Sequence, residues 1–251
     1  MIKIGICGVC GRMGKRIAVL ASHDEELAIV GATEVKGCSL VGVSLSKELK
    51  SNSMDMGIAI SDDLNNNIEK SDCIIDFTAP VATIANLKVA RKNKKPIVIG
   101  TTGFDDKQLK EITDSAKDIP ILISPNMSVG VNLLFDLVQK TAKTLGKNYK
   151  VKMEEIHHIH KKDKPSGTGK LLAKIVKDVR KDLKSIPIDS VREGEVVGDH
   201  KVVFESEEDK IEIIHKAKTR DIFAMGAIQG AKFLVGKPNG LYTMKDVLEE
   251  L

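Results

Sequence analysis

Residues Ile2 to Cys7 alternate Ile2, Ile4 and Ile6 around Lys3 and Gly5, then run directly into Gly8-Val9-Cys10-Gly11-Arg12-Met13-Gly14 and a helical pattern through Ile17, Leu20 and Ala21. A strand that ends in a glycine-rich turn and restarts as a helix narrows the choice of fold more than any other stretch of this chain. Glycines there let backbone N–H groups approach a pyrophosphate at the positive end of the helix, which is how dinucleotides are held. The spacing is G-x-x-G-x-x-G, with Cys10 where the stricter fingerprint has its second glycine. Leu27 to Thr33 then reads as a buried strand closed by Glu34. That acid stands about 20 residues past the turn, where a carboxylate meets ribose hydroxyls.

The pattern repeats. Cys73 to Phe77 is a third hydrophobic strand, a helix runs from Pro80 to Asn93, Pro96 to Ile99 is a fourth strand, and a helix from Asp105 to Lys117 precedes a strand at Ile119 to Ser124. Strand and helix in alternation predict a parallel sheet. Between the second and third strands, Gly37 to Asn67 reads as irregular, with a short strand at Gly57 to Ile60. Gly100-Thr101-Thr102-Gly103 falls at the carboxyl edge of the sheet, where ligands of open α/β folds bind; the plainer reading is a tight turn. Pro125 to Ser128 reads as the exit from this first domain.

Beyond it the alternation changes. A long amphipathic helix from Val129 to about Leu145, a strand at Lys150 to Ile156 and a helix from Thr168 to Leu183 lead to strands at Glu195 to Val197, Lys201 to Glu205 and Lys210 to His215, the last two joined as a hairpin. An antiparallel run of this kind marks a second, mixed α+β domain. Its strands are expected to expose an apolar face containing some of Val202, Phe204, Ile211 and Ile213 unless a second subunit covers it. A helix from Arg220 to Leu234 and a short helical end at Gly240 to Leu248 suit the first domain better, leaving the middle as an insertion.

Composition excludes several classes. With 251 residues, 42% hydrophobic and 29% charged, the chain has material for a sizeable core. Its net charge of +4 is spread among 35 acids, and it has no Trp and two Tyr, so nucleic acid is not an expected partner. The longest uncharged run, Ile119 to Phe135, is broken by Pro120, Pro125, Asn126 and Asn132, so no membrane span is expected. Four cysteines, Cys7, Cys10, Cys38 and Cys73, form no secreted disulfide framework. Cys7-x-x-Cys10 is read as structural, because Cys7 ends a strand instead of opening a helix. With no apolar leader read at its start, the chain is expected in the cytoplasm.

The chemistry concentrates in Glu155-Ile156-His157-His158-Ile159-His160-Lys161-Lys162-Asp163-Lys164-Pro165-Ser166-Gly167-Thr168-Gly169. Three imidazoles and several ammonium groups lead into a turn that can hold a carboxylate or phosphate at a helix start. A basic surface loop feeding a capped helix is the plainer alternative. His158-x-His160 with Asp163 has the outline of a zinc pattern, but the Asp is one place late, no His follows it and three lysines sit among the ligands, so no metal is expected. Acid/base chemistry on an anionic substrate suits the cations better.

Taken together, these blocks resemble the 4-hydroxy-tetrahydrodipicolinate reductase (dihydrodipicolinate reductase) family across nearly the whole chain. The resemblance rests on Gly8 to Gly14, Asp76-Phe77-Thr78, Gly100 to Phe104, Asn126 to Asn132, Glu155 to Thr168 and Gly240 to Leu248. It implies an α/β fold: a Rossmann-type parallel-sheet nucleotide-binding domain over 1–127 plus 220–251, and an inserted α+β mixed-sheet substrate-binding and oligomerisation domain over 128–219. By the same resemblance Gly8, Val9, Cys10, Gly11, Arg12, Met13, Glu34, Gly100, Thr101, Thr102, Ser124, Pro125, Asn126 and Met127 face NADH or NADPH. His158, Gly167 and Thr168 would bind a cyclic dicarboxylate, assisted by Ser166 and Thr102, while His157 and Lys161 match the acid/base pair. It also implies a homo-oligomer, tetramer or dimer. Gly169 stands where the family usually has alanine, and Lys164 where a small residue is common.

Two other classes stay open at this point. A related dehydrogenase of aspartate-derived metabolites would share the turn and Glu34 with a different catalytic set, and a nucleotide sensor would need neither His157 nor Lys161. For cofactor choice, Glu34 suits the ribose of NADH, and Val35 offers no cation where related reductases often place an Arg; Lys36 is a flexible point charge. Use of both cofactors is expected, with NADH at least as good.

Overall fold

A computed structural model describes residues 1–49 and 57–251. The chain divides into two compact units, Met1–Ser128 with Phe223–Leu251, and Val129–Ile222. In chain order the first carries β1 (Ile2–Cys7), α1 (Arg12–Ala21), β2 (Leu27–Thr33), α2 (Leu45–Glu48), β3 (Cys73–Asp76), α3 (Pro80–Lys92), β4 (Ile97–Ile99), α4 (Asp106–Ser115) and β5 (Pro120–Ile123). The second follows with α5 (Val129–Leu145), β6 (Lys150–His157), α6 (Gly167–Val179), β7 (Ile188–Arg192), β8 (Gly198–Glu205) and β9 (Lys210–Ala217). Then α7 (Asp221–Leu234), β10 (Gly240–Tyr242) and α8 (Met244–Leu248) complete the first unit.

Six parallel strands in the order β10-β5-β4-β3-β1-β2 make the first sheet. Its inner strands are short uninterrupted apolar runs, as sheets covered on both faces require: Ile74, Ile75, Ile97, Val98, Ile99, Ile121 and Leu122 are fully buried. Pro80, pre-set for a helical φ, opens α3, and an Asp105/Gln108 capping box opens α4. Helix α7 presents Ala224, Ala227, Ala231 and Leu234 to the interior, and its Gly230 meets the side chains of Leu122 and Val98. These small residues let the helix lie close to β4 and β5.

In the second unit the sheet order is β7-β6-β8-β9, with β7 parallel to β6 and the other pairs antiparallel. Val202 and Phe204 are fully buried against Val131, Leu134 and Val138 of α5 and Leu172 and Val176 of α6, with Ile213 packed on the same cluster. The apolar face expected to await a second subunit is therefore, for Val202, Phe204 and Ile213, this unit's own core; Ile211 is 37% exposed at its rim. The opposite face is charged. Lys201 there reaches Glu154 at 3.5 Å and Glu212 at 3.1 Å, with Val191 and Ile214 half-exposed among the charges.

Several expected elements differ. No strand forms at Glu195 to Val197, because Gly194 at φ +47° turns the chain there; the edge strand is Ile188–Arg192, directly after Pro187. Gly57 to Ile60 makes only isolated bridges, Ser44 with Ala59 and Thr33 with Ser61 beside it. The stretch read as irregular also holds the short helix α2, and its part over 50–56 lies outside the described residues. Helix α6 stops at Val179, not Leu183, because Arg180 leaves helical geometry and buries its guanidinium against Tyr149 O (3.2 Å) and Asp182 (2.8 Å). The chain end adds a strand, β10, that pairs with β5. Among the described residues no helix is long and apolar enough to cross a membrane.

Candidate active site

In the first unit β1 delivers the chain into the glycine turn, where Gly8 takes φ +76° and the N–H groups of Gly8 and Val9 both donate to Thr33 O at the end of β2 (2.9 and 3.1 Å). A Cβ on Gly14 would lie 2.0 Å from Gly8 O, so α1 and the turn touch main chain to main chain. No side chain caps α1, and no acid occupies its first turn, which includes Arg12 and Met13; this suits an anion at its positive end. Glu34 Oε1 accepts from Cys10 N–H at 2.7 Å, and Glu34 Oε2 from Val35 N–H at 3.1 Å. A cavity of about 400 Å³ opens here, lined by Gly8, Gly11, Glu34, Val35, Lys36, Phe77, Thr78 and Asn86 among others. Burial pushes the Cys10 thiol up to about 12, helped by the neighbouring Glu34 charge, so it is an inert filler at this turn.

The floor is pinned by a buried carboxylate. Asp76 accepts from Thr78 N–H (3.0 Å), Thr78 Oγ1 (2.7 Å), Thr83 Oγ1 (2.9 Å) and Asn86 Nδ2 (2.7 Å). Thr101 Oγ1 accepts from Thr78 N–H at 3.1 Å, tying the loop after β4 to the loop after β3. Gly100 and buried Thr101 thus face these bonds, and Thr102 is exposed beyond them. At the end of β5 buried Ser124 donates to Asn126 O at 2.7 Å, Asn126 Oδ1 accepts from Ser128 N–H at 2.9 Å, and Met127 is buried; Pro125 links them at the surface. Open space over glycine main chain, a positive helix end and a carboxylate at the edge fit a nicotinamide dinucleotide.

The second unit gathers the histidine and lysine stretch at the end of β6. His157 closes the strand, buried, and burial lowers its pKa although Glu155 opposes this. His158 is half-buried with Arg220 Nη2 at 3.4 Å, whereas His160 is exposed. The three lysines are not equivalent: Lys161 is 23% exposed and lies 2.8 Å from Asp163, while Lys162 and Lys164 are exposed. The Lys161 ammonium, donating to Asp163, holds that carboxyl below its usual range.

Ser166 is the N-cap of α6: its Oγ accepts from Gly169 N–H at 3.0 Å and donates to Glu155 Oε2 at 2.5 Å. With its one proton committed inward, Ser166 shapes the turn, and exposed Gly167 and half-buried Thr168 form its outer surface. A Cβ on Gly169 would stand 2.6 Å from Glu155 Oε2, so the missing methyl gives the carboxylate its place. Burial pushes the Glu155 carboxyl up, but the hydroxyl and N–H of Ser166 outweigh it and hold it low. His200 packs edge-on to His157 at 5.1 Å, and burial brings its pKa down to about 4. Among the described residues, Glu155, His157 and His200 offer donor atoms within 4.8 Å of one another and are the group that could approach a metal ion. A cation there would compete with the Ser166 bonds and with Arg192, 3.5 Å from Glu155.

Two residues that shape these sites have no role assigned from the sequence, although Asp76 lies in one of the blocks that carry the resemblance. Asp76 carried one signal, since a charge ending a strand of buried isoleucines must be hydrogen-bonded to be tolerated. Arg192 carried none; its guanidinium donates to Lys161 O at 3.2 Å and to Asp163 O.

The fold and turn define an α/β dinucleotide-binding protein that carries a second, mixed-sheet unit. Sequence profiles described as the N-terminus and the C-terminus of dihydrodipicolinate reductase match residues 2–127 and 130–248. The chain is 40% identical to the 4-hydroxy-tetrahydrodipicolinate reductase of Geobacter metallireducens and 42% identical to that of Hahella chejuensis, in each case over 99% of both chains. A dipicolinate-bound dihydrodipicolinate reductase from Paenisporosarcina sp. TG-14 has the same fold, with a TM-score of 0.81 over 97% of both chains at 23% identity. This chain belongs to the dihydrodipicolinate reductase family.

Proposed function

We propose that this chain reduces 4-hydroxy-tetrahydrodipicolinate to tetrahydrodipicolinate with NADH or NADPH, in lysine and diaminopimelate biosynthesis. The observation that carries the reading is Lys161, the one lysine of its loop that is largely withdrawn from solvent, paired with Asp163, whose carboxylate reaches Gly167 at the start of α6. The bound nicotinamide supplies the hydride. After loss of water the substrate is a conjugated cyclic imine, and hydride addition leaves an electron-rich ring that must take up a proton. Lys161 Nζ gives that proton and stabilises the charge that develops. His157, kept neutral by burial, and His158 hold the site around it. Gly167 and Thr168 bind a substrate carboxylate at the α6 turn that Ser166 shapes, and Thr102 assists. Gly8 to Met13, Glu34, Gly100 to Thr102 and Ser124 to Met127 hold the cofactor.

Steady-state kinetics of three variants test this. Lys161→Ala is expected to lower kcat by about 10² to 10⁴-fold, the span for a lost general acid, with a smaller change in cofactor affinity. Exposed Lys162→Ala and Lys164→Ala are expected to be far milder. If all three behave alike, or Lys161→Ala only raises KM, the loop is an electrostatic funnel and His157 becomes the donor. A cytoplasmic homo-oligomer, dimer or tetramer, completes the reading, supported by exposed Val191 and Ile214 on the outer sheet face. A monomer by light scattering at micromolar concentration would count against assembly.

A further inference from the structure

We infer that Arg192 is a positioning residue for the proton donor, its guanidinium gripping the main chain on both sides of Lys162 so that Lys161 is held in place. The inference rests on the role proposed for Lys161.

Arg192 ends β7 directly opposite His157, the last residue of β6. From there its Nε donates to Lys161 O at 3.2 Å and its Nη2 to Asp163 O, while Nη1 donates to Val191 O at 2.8 Å. The main chain of the loop is also tied by Ile159 N–H to Gly194 O (3.1 Å) and by Lys161 N–H to His158 O (3.1 Å) on the N-terminal side, and by Ser166 N–H to Glu155 Oε1 (2.9 Å) at the far end, so the fork supplies the main-chain bonds in between. Glu155 Oε1, 3.5 Å from Nη2, supplies the counter-charge. The guanidinium side chain is 14% exposed and its acid 1%, so the pair is screened little by water.

The geometry calls for a fork. Two carbonyls two residues apart are met by N–H groups fixed in one plane, and a lysine keeps the charge without that plane. The same Glu155 holds Ser166 at the α6 turn, so one carboxylate is shared by the support of the donor loop and by the cap of the carboxylate-binding turn. A shift of the loop would move Lys161 relative to that turn, and about 1 Å of misplacement can cost about 10²-fold in rate.

The test is Arg192→Lys made in the intact chain and in Lys161→Ala, assayed with NADH and 4-hydroxy-tetrahydrodipicolinate. In the intact chain kcat is expected to fall about 10²-fold, with the KM for NADH changed less than about twofold. On Lys161→Ala the same change is expected to cost less than about threefold, because the group it positions is gone. Guanidinium ion at millimolar concentration is expected to restore part of the kcat of Arg192→Ala and none of that of Lys161→Ala. Should Arg192→Lys not fold, Arg192→Gln, which keeps two N–H donors, takes its place with the same readings. An equal fall in both backgrounds overturns the inference and leaves the donor role of Lys161 standing, as does a normal kcat for the Arg192 variant. A near-normal kcat for Lys161→Ala alone overturns the donor reading and this inference with it.

Discussion

In the first unit the candidate cofactor turn is made largely of main chain: Gly8 and Val9 donate to Thr33 O, and Gly14 lies against Gly8 O with no room for a methyl. In the second unit the Lys161 loop is held by side chains, with Arg192, Glu155, Ser166 and Asp163 each carrying a charge or a committed proton. Main-chain contacts keep their shape whatever the pH and discriminate by space, although Glu34 on Cys10 N–H and Asp76 beneath add two carboxylates to this site. Side-chain sites can place a proton, and they depend on every ionisation state around them. Binding a cofactor needs the first kind, and delivering a proton needs the second.

The contrast can be broken in order of effect. The lysine series is the largest: if one ammonium among three like charges carries about 10² to 10⁴-fold in kcat, position and not charge defines the second site. Acid is next. His200, near 4 when folded, takes up its proton near 6.5 when the chain unfolds, so the unfolded state binds more protons between these values. Its contribution to stability is present above pH 6.5 and is lost as pH falls toward 4, on the order of 3 kcal/mol in all. His157 and His215, lowered chiefly by burial, act in the same direction. Hydrogen exchange between pH 7 and 4.5 is expected to loosen β8 while β1 stays protected, and His200→Gln is expected to flatten the response. Equal loosening of both sheets would erase the distinction. The smallest effect belongs to the rim of the first site. Val35, 70% exposed, gives a 2′-phosphate no partner, so the native chain is expected to use NADH at least as well as NADPH, and Val35→Arg to improve NADPH by roughly tenfold. A native preference for NADPH by about two orders of magnitude would contradict this.

What could be read from the letters follows burial and length, not the division between the units. β1 and β2 were legible to the residue and α5 closely, since their burial leaves a period in the sequence. β7 was not: Ile188-Asp189-Ser190-Val191-Arg192 pairs on one side only and is half-exposed, so its pattern is faint. β10, three residues long, is shorter than any period can show. The histidine and lysine stretch stood out by composition, and only its resemblance to the family block singled out Lys161, since charge and periodicity do not distinguish it from Lys162. The Lys161 ammonium pairs with nearby Asp163, while the loop's support comes from elsewhere in the chain, through Arg192 and Glu155, 37 positions apart. A contact between distant side chains writes no repeat into the sequence.

The first sheet is closed by β10, and its face is packed by α7, both made from the last stretch of the chain. Synthesis therefore reaches the two units in an unusual order. When residue 222 has been added, every strand of the middle unit exists, while β5 is still an unpaired edge and the buried face of α7 has not been made. At about 5–20 residues per second that interval lasts on the order of seconds. During it the nascent chain carries an open parallel edge, the kind of surface to which other strands add. The unit begun first is thus the unit finished last.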